Sequence, residues 1–141
     1  MPYQIMYSSQ AMEPMTATDL EKILTDARAG NEARNVTGVL VYVDGVFFQL
    51  LEGDQAVVRN LMVNIASDTR HQSVKVFYQA PVDVRAFKSW SMAYLGPTAQ
   101  EMSTWTGLPA TATVEEVLAH VNRYPDRVPR TLIAALKALV R

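Results

Sequence analysis

The sequence predicts an α+β domain built on a ferredoxin-like βαββαβ(β) sheet. Short apolar runs alternate with period two, and two longer segments place apolar residues with the helical spacing i, i+3, i+4, i+7. These elements follow one another as β-α-β-β-α-β-β, and the first six match the split βαβ motif. A chain of 141 residues, 49% of them hydrophobic, fits one domain with a substantial core.

The first predicted element is a strand over Tyr3–Tyr7. Its alternating side chains define one face with Tyr3, Ile5 and Tyr7, and another with Gln4, Met6 and Ser8.

A helix follows the first strand. Thr18 and Glu21 have the spacing of a capping box, and Gly30 is a typical helix terminator. Between them one apolar face repeats at helical spacing, formed by Leu20, Ile23, Leu24 and Ala27.

A β-hairpin is predicted next. The apolar runs Val36–Val43 and Val46–Leu51 are separated by Asp44-Gly45, a strong signal for a type I′ turn. Both runs are apolar on both faces, so we expect them in the middle of the sheet.

A second helix and two further strands complete the sheet. Asp54 is placed to cap the helix, and strands are predicted over Val74–Gln79 and Trp90–Leu95. The inner face of the helix comprises Val58, Leu61, Met62 and Ile65. In this topology the first and third strands lie side by side.

The C-terminal segment is predicted to be helical. Thr113 and Glu116 form a capping box, and Pro125 and Pro129 should interrupt the chain. The apolar face of the first of these helices has Val114, Val117, Leu118 and Val121. The last helix is built by Leu132, Ile133, Leu136, Leu139 and Val140, with Arg130, Lys137 and Arg141 on its polar side. Packing on the free face of the sheet would cover both apolar faces.

Composition excludes several classes of protein. A net charge of −1 argues against a general nucleic-acid or membrane-surface binder. The absence of cysteine excludes disulfides and thiolate chemistry, and two histidines make a metal site improbable. Met1–Met6 lacks a signal-peptide pattern, and no apolar run reaches membrane-spanning length. We therefore expect a cytoplasmic protein that contacts neither membrane nor nucleic acid and holds no metal.

Gln49 is the most informative single residue. It lies in an apolar run, and a buried amide without partners costs about 1–3 kcal/mol. Alternation places it on one face with Phe47 and Leu51, where Tyr7 on the neighbouring strand can face it. The alternative is a satisfied polar pair with no role beyond the core.

Three other groups are candidates for binding. Asp68-Thr69-Arg70-His71 follows the second helix and could grip a phosphate or a ring carbonyl, or could be a solvated helix end. Asn31 follows the predicted end of the first helix and could be an ordinary cap. Trp90 and Met92 share a face of the last predicted strand and could be core residues. Standard hydrolase, nucleotide-loop and zinc-protease motifs are missing.

Taken together, these residues resemble one family. Tyr7-Ser8-Ser9, Asn31, Thr37–Leu40, Asp44–Gly53, Asp68–His71 and Trp90-Ser91-Met92, in this order and spacing, resemble the BLUF family of blue-light sensors using FAD. The similarity covers roughly 3–95. Phe-Phe-Gln-Leu-Leu-Glu-Gly followed by Arg-His and Trp-Ser-Met is highly specific to that family.

The resemblance implies a flavin between the two helices and assigns roles around it. Tyr7 would donate an electron and a proton to the excited flavin, and Gln49 would bridge Tyr7 and the ring. Ile23 and Ile65 would sandwich the ring, and Asn31 would bond its polar edge. The carbonyl, ribityl and phosphate end would be held by Asp68, Arg70, His71 and Arg28. Trp90 and Met92 would relay the state of Gln49.

The resemblance also sets expectations for partners and cofactor. Residues 1–97 would be the flavin-binding domain and 98–141 its helical extension. We expect FAD, with FMN or riboflavin as substitutes, an effector protein bound in trans, a homo-oligomer and no enzymatic activity. Two positions depart from some relatives, which carry a polar or basic residue at Gly30 and Arg at Asn64.

Two alternatives to the light sensor remain at this point. One is a non-photoactive module on a ferredoxin-like scaffold that binds a small ligand or a protein. The other is a small flavin oxidoreductase, for which no substrate-pocket residues stand out.

Overall fold

A five-stranded sheet forms the centre of the computed structural model, which describes residues 1–140. The elements are β1 Tyr3–Ala11, α1 Ala17–Arg34, β2 Thr37–Val43, β3 Val46–Gly53, α2 Gln55–Ala66, β4 His71–Pro81, β5 Ala93–Leu95, α3 Ala99–Trp105, α4 Val114–Arg123 and α5 Arg127–Leu139. Arg141, expected on the basic side of the last helix, lies outside the described residues.

The strand order is β4-β1-β3-β2-β5. β1 is antiparallel to both β3 and β4, β2 is antiparallel to β3, and β5 joins β2 in parallel. The ferredoxin-like sheet is thereby confirmed, with the first and third strands side by side and the hairpin in the interior. Asp44 and Gly45 both have positive φ, 46° and 78°, as the type I′ turn requires.

The sheet separates two apolar cores. α1 and α2 cover the face that carries Tyr7 and Leu51, through residues such as Leu24, Val58 and Met62. The opposite face is covered by the C-terminal helices through residues that include Met102, Val117, Val121, Leu132 and Leu136. The expected placement of the C-terminal helices is therefore correct. None of the helices formed by residues 1–140 is long and apolar enough to cross a membrane.

The first helix has different ends from those expected. Its capping box joins Thr16 and Asp19 rather than Thr18 and Glu21, and the helix continues through Gly30 to Arg34. It ends at Asn35, whose left-handed conformation (φ 55°, ψ 42°) is tolerated by asparagine. Asn31 is consequently a buried residue of the helix itself, 3% exposed, and not a loop residue after it.

The last strand is shorter than expected. It begins at Ala93, so Trp90, Ser91 and Met92 lie outside it and do not form a strand face. Their carbonyls accept hydrogen bonds from the backbone of Gly38 at 3.1 Å, Asn31 Nδ2 at 2.8 Å and Arg28 Nε at 2.9 Å, respectively. Side-chain donors from α1 thus replace the ladder that would extend β5.

The C-terminal segment contains one helix that the sequence analysis missed. α3 begins with a capping box between Thr98 and Glu101. α4 begins with the expected box between Thr113 and Glu116. Pro125 lies between α4 and α5, whereas Pro129 sits inside the first turn of α5, where a missing N–H costs little. Asp54 occupies the N-cap position of α2 without a side-chain capping bond.

Candidate ligand-binding cavity

A cavity of about 240 Å³ lies between α1, α2 and the sheet. Strand residues form its floor, the two helices form its walls, and charged residues surround its mouth. The lining residues are Tyr7, Ile23, Asp26, Ala27, Asn31, Arg34, Leu40, Phe47, Gln49, Leu51, Leu61, Asn64, Ile65, Asp68, Arg70 and His71.

The floor is a row of three residues in register across three strands. Gln49 of β3 lies opposite Tyr7 of β1 on one side and Leu40 of β2 on the other. The Tyr7 hydroxyl donates a hydrogen bond to Gln49 Oε1. The pair that alternation predicted is therefore present, and both residues are almost fully buried.

Burial also affects the acidity of Tyr7. The phenol is 3% exposed, and desolvation, together with the nearby negative charge of Asp68, raises its pKa well above the ordinary value of 10.0. Tyr7 therefore remains a protonated hydrogen-bond donor at every physiological pH.

The Gln49 amide has a second partner in the same core as the cavity floor. Its Nε2 donates to Met92 Sδ at 3.5 Å, and Met92 is fully buried. Trp90, by contrast, is 38% exposed. Of the two residues that were candidates for relaying the state of Gln49, Met92 contacts it in this structure.

The walls of the cavity are apolar and face each other. Ile23 and Ala27 lie one turn apart on α1, and Leu61 and Ile65 lie one turn apart on α2. Two apolar walls above a floor that carries the polar groups of Tyr7 and Gln49 suit a planar aromatic ring with hydrogen-bonding atoms along one edge.

An ion-pair network lies at the mouth. Arg70 donates to Asp68 through Nε and Nη2, the shortest contact being 2.6 Å, and its Nη1 is 3.9 Å from Asp26. The bonds from Arg70 lower the pKa of Asp68.

His71 contacts both α2 and β1 through its two ring nitrogens. Its Nε2 lies 2.6 Å from the carbonyl of Ile65, and its Nδ1 lies 2.7 Å from Ser9 Oγ. A carbonyl can only accept, so Nε2 donates to Ile65, whereas the Ser9 hydroxyl can either donate to Nδ1 or accept from it. Its ring meets Tyr7 edge-on, with centroids 6.3 Å apart.

A buried carboxylate holds the segment that leads to Met92. Glu52 is fully buried, and its oxygens accept hydrogen bonds from Gln4 Nε2 at 2.9 Å and from the backbone of Ala86 and Phe87 at 2.7 and 2.8 Å. Nothing in the sequence pattern singled out Glu52 beyond its place in the Asp44–Gly53 block.

The structure gathers most of the predicted residues around one cavity. Those that line it are Tyr7, Ile23, Asn31, Gln49, Ile65, Asp68, Arg70 and His71. Arg28, Trp90 and Met92 do not line it, although Arg28 and Met92 are bonded to each other through the Met92 carbonyl. Asp26 and Arg34 were missed. Their positions on the cavity side of α1 follow from Ile23 and Asn31 by helical spacing, a signal that was available.

Metal ligation has no structural support in the part of the chain that is described. Across residues 1–140, no cluster of three or more histidine, aspartate or glutamate side chains could hold an ion.

Comparison with known proteins gives a consistent result. The family model described as sensors of blue-light using FAD matches residues 3–93. The chain is 44% identical over 85 residues to the photoactivated adenylate cyclase subunit alpha of Euglena gracilis, which covers 60% of this chain and 8% of the relative. The chain spans only 8–15% of the length of the curated relatives it matches.

Solved structures agree with these matches. The ground state of BlsA superposes with a TM-score of 0.70 at 31% identity, covering 89% of each chain. The dark-state structure of BlrB, a BLUF protein, superposes with a TM-score of 0.78 over 98% of this chain and 96% of that one. At 23% identity the latter supports the fold alone.

Proposed function

This chain belongs to the BLUF family of blue-light sensors using FAD, and we propose that its cavity holds the flavin and that Gln49 reports light absorption to Met92. The observation that carries this proposal is the hydrogen-bonded chain Tyr7–Gln49–Met92, which runs from the cavity floor to a buried residue of the same core that does not line the cavity. A core polar pair without a role would not need an adjoining cavity between two apolar walls.

The cavity residues fit a flavin in shape and chemistry. Ile23 and Ile65 would enclose the ring from its two faces, and Asn31 and Gln49 would meet its polar edge. Asp68, Arg70 and His71 stand at the mouth, where the ribityl and phosphate end would leave. Arg28 would support the site indirectly, through the Met92 carbonyl that it already bonds. FAD is the family cofactor, and FMN or riboflavin would satisfy the same ring contacts.

When bound, the flavin supplies blue-light absorption and an excited state that accepts an electron. The protein contributes a phenol that keeps its proton, because burial raises the pKa of Tyr7. It also contributes an amide with two different neighbours, a hydroxyl donor on one side and a thioether acceptor on the other.

Reorganisation of that amide would break one contact. If the Gln49 side chain turned over, its oxygen would face Met92 Sδ, and two acceptors do not bond. Tautomerisation of the amide would also alter the hydrogen bond that Met92 Sδ accepts from Gln49 Nε2. Either change favours a new position for Met92, whose flexible side chain can repack.

Met92 lies at the end of the 82–92 segment, which joins β4 to β5 and reaches the surface. The same segment exposes Trp90 and, further back, Val84, which is 69% exposed. We infer that an effector protein reads this region in trans, that the chain forms a homo-oligomer, and that it works in the cytoplasm without enzymatic activity of its own. In this proposal 1–97 senses light, and 98–141 is a helical extension of the same domain, whose described residues cover the second core.

Spectroscopy of the purified protein tests the proposal. After reconstitution with riboflavin, FMN or FAD in the dark, we expect flavin absorption bands, and blue light should shift them reversibly to longer wavelength. A protein that binds no flavin, or whose bound flavin shows no reversible shift, would contradict it. Affinity capture in darkness and under blue light then tests the effector.

A further inference from the structure

Arg34 lies at the cavity mouth with its guanidinium close to Gly30. Gly30 and Arg34 lie one helical turn apart on α1, and Arg34 lines the cavity. A Cβ built on Gly30 would lie only 2.7 Å from Arg34 Nη1. The guanidinium therefore rests over the glycine, and a side chain at position 30 would require it to shift.

The neighbouring cations are already engaged. Arg70 is paired with Asp68 at 2.6 Å and approaches Asp26 at 3.9 Å, while Arg28 donates to the Met92 carbonyl. The Arg34 guanidinium forms no hydrogen bond, ion pair or ring contact with any of residues 1–140. It is the cation at the mouth with all its donors available.

The charge balance at the mouth depends on Arg34. Among the lining residues, Asp26 and Asp68 are balanced by Arg70 and Arg34, whereas Asn64 on the opposite wall is neutral. Without Arg34 the mouth would carry one excess negative charge and repel a phosphate. With it, a planar donor fork that suits phosphate oxygens is free to bind.

From these observations we propose that Arg34 binds the phosphate of a phosphorylated flavin and makes the protein prefer FMN and FAD over riboflavin. The inference rests on the proposed function, because it requires the flavin to occupy the cavity. It assigns to this chain a phosphate contact supplied from the last turn of α1.

A purely structural role would give a different result. Arg34 lies in the last turn of α1, where a cation stabilises the helix regardless of ligand. Loss of that effect would lower stability and weaken all flavins equally, whereas loss of a phosphate contact weakens only phosphorylated flavins.

The test is a titration of riboflavin, FMN and FAD with the flavin-free protein in darkness. Quenching of the flavin fluorescence measures the equilibrium binding of each flavin. For Arg34→Ala we expect binding of FMN and FAD to weaken by about 3- to 10-fold, as for a partly exposed charged contact, with riboflavin unchanged. The difference should shrink at high salt. Lys22→Ala, which removes an exposed cation of α1 outside the cavity lining, is the matched control and should change nothing.

A second variant addresses position 30 directly. In the double variant Gly30→Arg/Arg34→Ala, a cation reaches the same space from one turn earlier, and we expect preference for FMN over riboflavin to return. Equal weakening of all three flavins in Arg34→Ala, or none, would overturn the assignment while leaving the flavin site intact. Failure of the wild-type protein to bind any of the three flavins would contradict the proposed function itself, and the assignment of Arg34 with it.

Discussion

Gln49 and Met92 are in direct contact, with the amide Nε2 of Gln49 donating to the thioether sulfur of Met92 at 3.5 Å. The other end of the amide accepts from Tyr7. Gln49 therefore connects a residue of the cavity floor with the buried end of the 82–92 segment. A change in the hydrogen bond to Tyr7 would alter the hydrogen bond that Gln49 donates to Met92.

Removing either end of the Tyr7–Gln49 pair should abolish the light response but not flavin binding. Tyr7→Phe deletes the donor hydroxyl, and Gln49→Leu deletes the amide that rearranges. We expect both variants to show flavin absorption and no reversible red shift. Tyr3→Phe is the matched control, because it removes a hydroxyl of the same strand and face that bonds Gln79 outside the cavity lining. A normal shift in Tyr7→Phe or Gln49→Leu would refute these roles.

Met92→Ala should separate photochemistry from signalling. Truncating a fully buried methionine is expected to cost about 2–5 kcal/mol of unfolding free energy. The red shift should persist while the difference in effector binding between dark and light diminishes. Met102→Ala removes an equally buried methionine from the opposite core and should cost comparable stability without that second effect. Identical signalling in the two variants would count against a relay through Met92.

Glu52→Gln should loosen the 82–92 segment. The substitution replaces one acceptor oxygen with an NH₂ group that faces N–H donors, at a cost of about 1–3 kcal/mol. We expect a lower urea midpoint and faster proteolysis within the segment. Glu32→Gln, on the exposed surface of α1, should change neither. Unchanged proteolysis in Glu52→Gln would show that the segment is held by other contacts.

The raised pKa of Tyr7 predicts a specific alkaline instability. Since ionisation is easier in the unfolded chain, stability from this group is complete below its ordinary pKa of 10.0 and is lost as the pH rises above that value. Between pH 9 and 11 we expect the wild type to lose about 1.4 kcal/mol more unfolding free energy than Tyr7→Phe. Denaturation curves recorded across that range measure the difference, and parallel losses in the two proteins would contradict it.

Truncation of two leucines of α5 should have very different effects on the free energy of unfolding. Leu132 is fully buried in the second core, while Leu139 is 50% exposed at the end of the helix. Leu132→Ala should cost about 2–5 kcal/mol, and Leu139→Ala should stay within about 0.5 kcal/mol. If Leu139 also contributes to a partner or oligomer contact, size-exclusion chromatography will show a change in assembly for Leu139→Ala without loss of stability.

Much of the sheet could be predicted because its signals are local. Alternation in β1 and β3 placed Tyr7 and Gln49 on one face. Asp44-Gly45 set the turn that fixes the register of β2 against β3. The amide pair followed from burial, since an unpartnered Gln49 would be costly.

Other features could not be predicted because they depend on distant parts of the chain. Two capping signals stand two residues apart before α1, and the helix begins from Thr16 and Asp19 rather than from Thr18 and Glu21. Trp90–Met92 has a β-prone composition, yet its carbonyls are bonded by Gly38, Asn31 and Arg28, far away in sequence.

α3, by contrast, could have been predicted. It carries a local capping signal at Thr98 and Glu101, which was available and missed.

The bond from the Gly38 amide to the Trp90 carbonyl gives the protein an internal spectroscopic probe. Position 38 has to be glycine, because a Cβ there would lie 1.9 Å from the Leu50 carbonyl oxygen. Its amide proton is hydrogen-bonded to the 82–92 segment, while its strand pairs with β3. In an NMR spectrum, the chemical shift and solvent exchange of this one proton would report release of the segment under illumination without any introduced label.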